Sequence, residues 1–155
     1  SDEMLRGILL LEQYLGPDIF NVEVEVLLTD RGSEFVSASE AEYREDGSRR
    51  TRVYYCDSMC SWQKGSLENV HLLLREICPN KTDLYALGLT SQEKANIISS
   101  HINSYPKKKL KGKSSFQLLE FINPDMDDRL YQDGLFAVQS DEVTLKPYLL
   151  ISNGR

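Results

Sequence analysis

The 155-residue chain contains three cysteines and one tryptophan, and it has no long apolar run. No stretch approaches the roughly 20 apolar residues that a helix needs to cross a bilayer, so we expect no contact with a membrane. The N-terminal apolar stretch follows acidic residues, and its spacing is typical of an amphipathic helix, whereas a signal peptide begins with basic residues. These absences favour an ordinary globular protein of one domain, with or without an appendage.

The three cysteines are Cys56, Cys60 and Cys78. An odd number without a secretory signal predicts free thiols in a reducing cytoplasm. A zinc site that includes the Cys56–Cys60 pair is the alternative. His71 and Cys78 do not form a second pair with a matching spacing, so free, partly buried thiols are the favoured interpretation.

The net charge of −6 does not suit a protein whose whole surface contacts nucleic acid. Positive charge is concentrated in two segments instead. Residues 47–52 carry three arginines, and residues 106–113 carry five lysines. Each segment is either a solvated loop or a patch that contacts phosphate groups, and the sequence leaves both interpretations open.

Apolar periodicity predicts two strands and four helices. The strands are residues 22–28 and 51–56, and the helices are residues 4–15, 66–77, 91–104 and 114–121. We expect Gly16 and Pro17 to end the first helix, and Thr90 with Glu93 to form a capping box at the third. Two strands form only a marginal sheet, so we expect further strands from the weakly patterned residues 122–155 or from outside the chain.

Two carboxylates lie at the ends of these predicted elements. Asp30 directly follows the first strand, and Glu68 lies in the first turn of the second helix. A turn residue and a capping charge are the simple interpretations. However, an Asp at a strand end and a Glu at a helix start also build two-metal sites for phosphoryl transfer, because carboxylate oxygens suit magnesium and manganese.

Three segments make the second interpretation specific: "VLLTDRGSEF", "RTRVYYCDSMCSWQKGSLENVHLLLREICPNKTDL" and "HINSYPKKKLKGKSSFQLLEF". Each segment alone is a weak signal, but in this order and with this spacing they resemble the integrase-type catalytic domain of DDE transposases. The insertion-sequence-30 group is the most similar. The segment "DEVTLKPYLL" also resembles the C-terminus of that group.

The resemblance implies an α/β fold, namely a partial ribonuclease-H-like (retroviral integrase-type) fold that lacks the first three strands and has extra C-terminal helices. Residues 1–121 would form a truncated catalytic core, and residues 122–155 would form a C-terminal tail. The resemblance also implies a bacterial cytoplasmic protein that binds DNA, at transposon ends and at the target, and that forms a homo-oligomer.

By the same resemblance, Asp30 and Glu68 are the second and third catalytic carboxylates, and they ligate Mg²⁺ or Mn²⁺ in a two-metal site. The residues expected to contact DNA are Gln63, Lys64, Asn69, Arg75, Lys107, Lys108, Lys109, Lys111 and Lys113.

The sequence departs from the family pattern in one important respect. The first catalytic Asp of the family lies on a strand well upstream of the second, and nothing here corresponds to it. We therefore expect weak or absent activity in DNA hydrolysis and strand transfer for this chain alone. The alternative is a non-catalytic oligomerisation or regulatory fragment that associates with full-length transposase. Smaller departures are Ser58 and Ser115, where the family usually has proline.

Overall fold

The computed structural model describes residues 2–29, 38–57 and 65–152. The chain forms two compact units, residues 1–64 and residues 65–155. The elements of the first unit are α1 (Asp2–Glu23), β1 (Val26–Thr29), α2 (Ala38–Glu42) and β2 (Arg52–Tyr55). Those of the second are α3 (Gly65–Ile77), α4 (Gln92–Ser104), a 3-10 turn (Lys108–Leu110), α5 (Ser115–Ile122), α6 (Pro124–Gln132) and α7 (Leu149–Ser152). Among the described helices, none has the length and apolar character that crossing a membrane requires.

Helix α1 is longer than the sequence predicts. Gly16 interrupts it with φ 75° and ψ 153°, and Pro17 begins a second helical segment that continues to Glu23. Proline is well suited to the first turn of a helix, because its φ is already helical and its missing N–H has no partner there. The first helical segment therefore ends at Gly16, as predicted, but the second segment was not predicted. The strand begins at Val26 rather than at residue 22.

Strands β1 and β2 pair in parallel, from Val26 opposite Arg52 to Thr29 opposite Tyr55. The described residues contain no other sheet. A mixed, mostly helical α/β class is therefore confirmed, while the ribonuclease-H-like assignment continues to rest on the resemblance. On the outer edge of β2, the Val53 N–H donates to a Glu42 carboxylate oxygen at 2.8 Å, so this position is already paired.

A half-buried carboxylate holds the first unit together. Glu12 accepts hydrogen bonds from Arg44 and Arg50, each at 2.7 Å. Arg50 is 7% exposed and also donates to the Glu40 carbonyl oxygen at 2.6 Å, whereas Arg44 reaches Asn21 at 2.7 Å. One carboxylate on α1 therefore fixes both α2 and the segment that leads into β2.

The arginine-rich segment 47–52 is thus largely occupied by contacts within its own unit. Besides Arg50, Arg52 pairs with Glu25 at 2.7 Å. Arg49 lies 5.3 Å from the centroid of the Tyr43 ring and donates to the Tyr43 hydroxyl. These contacts favour a structural role for the segment over a role in phosphate binding.

The second unit has a core to which the C-terminal part of the chain contributes. Its buried cluster is Ile77, Ile98, Ile102, Leu149 and Leu150. Residues 122–155, whose sequence pattern is weak, contain the helices α6 and α7. The four-residue helix α7 is too short for its apolar residues to show helical periodicity. The burial of this helix depends on the packing of Leu149 and Leu150 against α4.

Two helix caps show how local sequence sets the boundaries in this unit. Ser91, rather than Thr90, caps α4, since its hydroxyl accepts from the Lys94 N–H at 3.3 Å. Ser114 and Gln117 form a reciprocal capping box at the start of α5. The predicted capping box at Thr90 was wrong by one residue, although the predicted helix is present.

We predict that Glu12→Leu lowers the stability of the first unit by about 3 kcal/mol, because it leaves buried Arg50 without its carboxylate. The measurement is amide hydrogen exchange of residues 38–57. Glu25→Leu is the matched control, and it should cost less than about 1 kcal/mol because the Glu25–Arg52 pair is exposed. Equal losses in the two variants would contradict the central role of Glu12.

The pH dependence of the stability of the first unit should also depend on the Glu12 carboxyl. Burial raises the pKa of this carboxyl, but the hydrogen bonds from Arg50 and Arg44 outweigh burial and hold the pKa below its ordinary value. The stabilisation is therefore complete above the unfolded pKa of about 4.3 and is lost as the pH falls through the folded value. Hydrogen exchange should show this loss of stability at low pH in the wild type. The part of the loss that comes from Glu12 should be missing in Glu12→Leu. An identical acid profile would contradict the assignment.

Candidate functional site

Glu68 lies in the first turn of α3, where the helix dipole favours a negative charge. Its side chain is exposed, and no described cation pairs with it. The opposite face of α3 carries the apolar residues Val70, Leu73 and Ile77, which pack in the core of the second unit. The helix therefore presents the Glu68 carboxylate to solvent as an available ligand.

Two predicted DNA-contacting residues lie on the same helix. Arg75 follows Glu68 by seven residues, so the two share a face, and Arg75 is exposed. The side-chain amide of Asn69 donates to the Gly65 carbonyl oxygen at 3.0 Å, which ties it to the first turn of α3. Arg75 is thus available for a ligand, while Asn69 already has a local partner.

Asp30, Gln63 and Lys64 lie outside the described residues. The described part of β1 ends at Thr29, and Asp30 is the next residue in the sequence. Within residues 2–29, 38–57 and 65–152, no three His, Cys, Asp or Glu side chains lie close enough to hold a metal ion. Of the two predicted metal ligands, the structure describes Glu68, and the shared metal site of Asp30 and Glu68 stays a prediction.

The lysine-rich segment forms a closed loop, residues 107–113, which we call the lysine loop. The Lys107 N–H donates to the Lys113 carbonyl oxygen at 3.0 Å, and the Gly112 N–H donates to the Lys107 carbonyl oxygen at 3.1 Å. Lys111 and Gly112 adopt positive φ values of 54° and 84°, which turn the chain back on itself. These bonds define the backbone positions from which the lysine side chains project.

The five lysines of this loop are not equivalent. Lys107 is half-buried, and its ammonium group donates to the Ser115 hydroxyl at 2.5 Å, which anchors the loop to α5. Burial lowers the pKa of Lys107. The remaining four are exposed: Lys108, Lys109, Lys111 and Lys113. The loop therefore presents four cations to solvent, and the predicted DNA contact of Lys107 competes with its anchoring role.

The cysteines also differ in their environments. Cys56 is buried and Cys78 is half-buried, and both are free thiols, as the favoured interpretation predicts. Burial raises the pKa of the Cys78 thiol, which keeps it protonated at neutral pH. Cys60 lies outside the described residues.

A polar face on α4 was missed by the sequence analysis. Asn96, Ser100 and Ser104 are buried, as is His101. Polar residues spaced four apart on a predicted helix were the available signal, because that spacing places them on one face.

Comparisons with known proteins bear on the identity of the chain. It is 34% identical over 106 residues to the transposase for insertion sequence element IS1086 of Cupriavidus metallidurans, which is 68% of this chain and 29% of that protein. It is 33% identical over 94 residues to transposase InsI for insertion sequence element IS30A of Escherichia coli, which is 61% of this chain and 23% of that protein. No family model matches, and no solved structure does.

The chain thus spans less than a third of the length of these curated relatives. The match nevertheless extends over most of its own residues. The chain belongs to the insertion-sequence-30 group of transposases.

Proposed function

We propose that the chain acts in DNA transposition as part of the catalytic region of a DDE transposase. The proposed reactions are metal-dependent hydrolysis of a DNA phosphodiester and strand transfer by a 3′-hydroxyl. The observation that carries the proposal is the placement of Glu68, an exposed carboxylate with no ion-pair partner among the described residues, at the start of a helix whose other face is buried. The relationship to transposases supports the same function.

In this proposal Asp30 and Glu68 are the catalytic carboxylates and hold Mg²⁺ or Mn²⁺. Carboxylate oxygens match the ligand preference of both ions, and Glu68 is not occupied by a described cation. Two divalent ions held by these carboxylates would supply positive charge for an in-line displacement at phosphorus. The residues of this chain contribute by fixing the carboxylates, Glu68 through the buried face of α3 and Asp30 through its position after β1.

We expect weak activity from the 155 residues alone. They contain two of the three carboxylates of the family pattern, and two carboxylates attract two divalent ions less strongly than three. A ribonuclease-H-like fold, in which β1 and β2 are neighbouring parallel strands, is part of the same proposal.

The lysine loop is the proposed DNA contact in the second unit. Its four exposed cations lie within seven residues of a chain whose net charge is −6, so it is a local positive patch on an acidic protein. Contacts between lysines and phosphates release counterions and are independent of sequence, which suits a protein that holds DNA for chemistry. Arg75 on α3, together with Gln63 and Lys64 before it, is proposed to contact DNA beside Glu68.

The catalytic proposal predicts that nicking and strand transfer in Mn²⁺ fall to background in Asp30→Asn and in Glu68→Gln. Both changes keep the size of the side chain and remove its charge. Glu76→Gln, an exposed carboxylate on the same helix, is the matched control and should stay within about twofold of the wild type. Undiminished activity in either Asp30→Asn or Glu68→Gln would contradict the assigned roles.

The lysine loop predicts a specific salt dependence of DNA binding, measured by fluorescence anisotropy with duplex DNA. Lys108→Ala with Lys109→Ala should reduce the slope of log affinity against log salt concentration by about 0.9 for each phosphate contact removed. Lys146→Ala, an exposed lysine outside the loop, should leave the slope unchanged. An unchanged slope in the double variant, or an equal change in the control, would contradict this interface.

The second candidate function is a non-catalytic fragment that associates with another transposase chain. Phe121 and Ile122 favour it, because they expose 86% and 73% of their surfaces at the turn between α5 and α6. Sedimentation velocity should show self-association that Phe121→Ser with Ile122→Ser abolishes. A monomeric wild type would contradict self-association through this surface.

A further inference from the structure

A long segment that runs from the end of α6 into the first turn of α7 is held against α4 by hydrogen bonds from its backbone. We call residues 133–150 the strap. The Phe136 N–H donates to the Ser100 hydroxyl at 3.1 Å, and the Val138 N–H donates to the Ser104 hydroxyl at 2.8 Å. Both serines are buried, so these bonds replace water as partners for the backbone of the strap.

Each end of the strap is also fixed to α4. The side-chain amide of Asn96 donates to the Asp133 carbonyl oxygen at 2.8 Å, and the ammonium group of Lys94 donates to the Leu150 carbonyl oxygen at 3.2 Å. Leu150 is in the buried core cluster. The polar face of α4 therefore binds the strap, a segment of the same chain, through these hydrogen bonds.

The middle of the strap depends on a histidine. The Thr144 N–H donates to Nδ1 of His101 at 2.9 Å, and His101 is 8% exposed. A histidine nitrogen accepts a hydrogen bond only when it carries no proton, so this contact requires the neutral ring with its proton on Nε2. Burial lowers the pKa of His101, and the nearby carboxylate of Glu142 partly opposes this effect.

This contact differs chemically from the other bonds of the strap. Serine and asparagine do not titrate, and lysine stays charged over the physiological range, whereas histidine changes its charge between about pH 5 and 8. The elements packed against α4 are α3, α5 and α7. The charged group that acts on the ring comes from the strap itself, namely Glu142. A proton on Nδ1 would point at the Thr144 N–H, and this partly buried amide would lose its acceptor.

We propose that His101 is a proton-sensitive clasp, which holds the strap on α4 while the ring is neutral and releases it when the ring is protonated. The clasp is independent of the metal and DNA sites proposed above. It makes the C-terminal part of the second unit responsive to mild acid.

The direction of the response follows from linkage. A released His101 titrates near 6.5, whereas the clasped ring has a lower pKa, so the released state binds the proton more strongly. The clasp is therefore fully effective above about pH 6.5 and weakens as the pH falls below it. Because one proton is involved, the equilibrium constant for release rises by at most about tenfold per pH unit.

Hydrogen exchange of the full chain between about pH 7.5 and 5, corrected for the intrinsic exchange rate, tests the clasp. The amides of residues 136–150 should lose protection as the pH falls, while those of α4 keep more of it. His101→Gln retains an acceptor that does not titrate, so the pH dependence of the strap should disappear. The matched control is His71→Gln, which replaces the other histidine of the chain, an exposed residue on α3, and should behave as the wild type.

Strap protection that does not change with pH in the wild type would overturn the proposal, and so would an unchanged pH dependence in His101→Gln. A second measurement requires no variant. The nitrogen NMR shifts of His101 at neutral pH should show Nδ1 without a proton, and the Thr144 amide should shift with the titration of that ring. A protonated Nδ1 at neutral pH would also overturn the proposal.

Discussion

The burial of one face of α3 is the constraint on which the functional account depends. Ile77 belongs to the core cluster, and Val70 and Leu73 pack against it, so the rotation of the helix about its axis is set by apolar contacts. Glu68 is then directed away from that core without an ion pair to any residue that the structure describes. A carboxylate positioned in this way keeps its charge and its oxygens available for a ligand, which is what a metal-binding residue requires.

The two basic segments, residues 47–52 and the lysine loop, are similar in charge but differ in their contacts. In residues 47–52, the half-buried Glu12 on α1 pairs with buried Arg50, and the arginines become part of the framework of the first unit. In the lysine loop, Lys107 alone is drawn inward, by a serine on α5, and the other four lysines remain in solvent. The presence of hydrogen-bond partners within the same unit, rather than the number of charges, separates a structural cluster from a candidate interface.

Local sequence predicted the parts of the fold that depend on local interactions. Helix α3 and strand β2 lie within a residue of their predicted bounds, because apolar spacing and β-branched or aromatic residues specify them directly. The partner of Arg50 is 38 residues away in the sequence, and the bond from Phe136 to Ser100 spans 36 residues. A local sequence pattern does not predict such long-range contacts. The contacts of the arginines in residues 47–52 and the packing of the strap were therefore seen only in the structure. The position of Asp30 after a strand was predictable, whereas the relation of its side chain to Glu68 rests on the family resemblance.

The central claim is that Asp30 and Glu68 hold a divalent cation, and paramagnetic broadening of backbone NMR signals by Mn²⁺ tests it most directly. The account predicts that low Mn²⁺ concentrations broaden signals around residues 29–31 and 65–72 first, and that Asp30→Asn and Glu68→Gln each abolish both effects. Broadening that instead begins at the acidic residues of α6 and persists in both variants would contradict it.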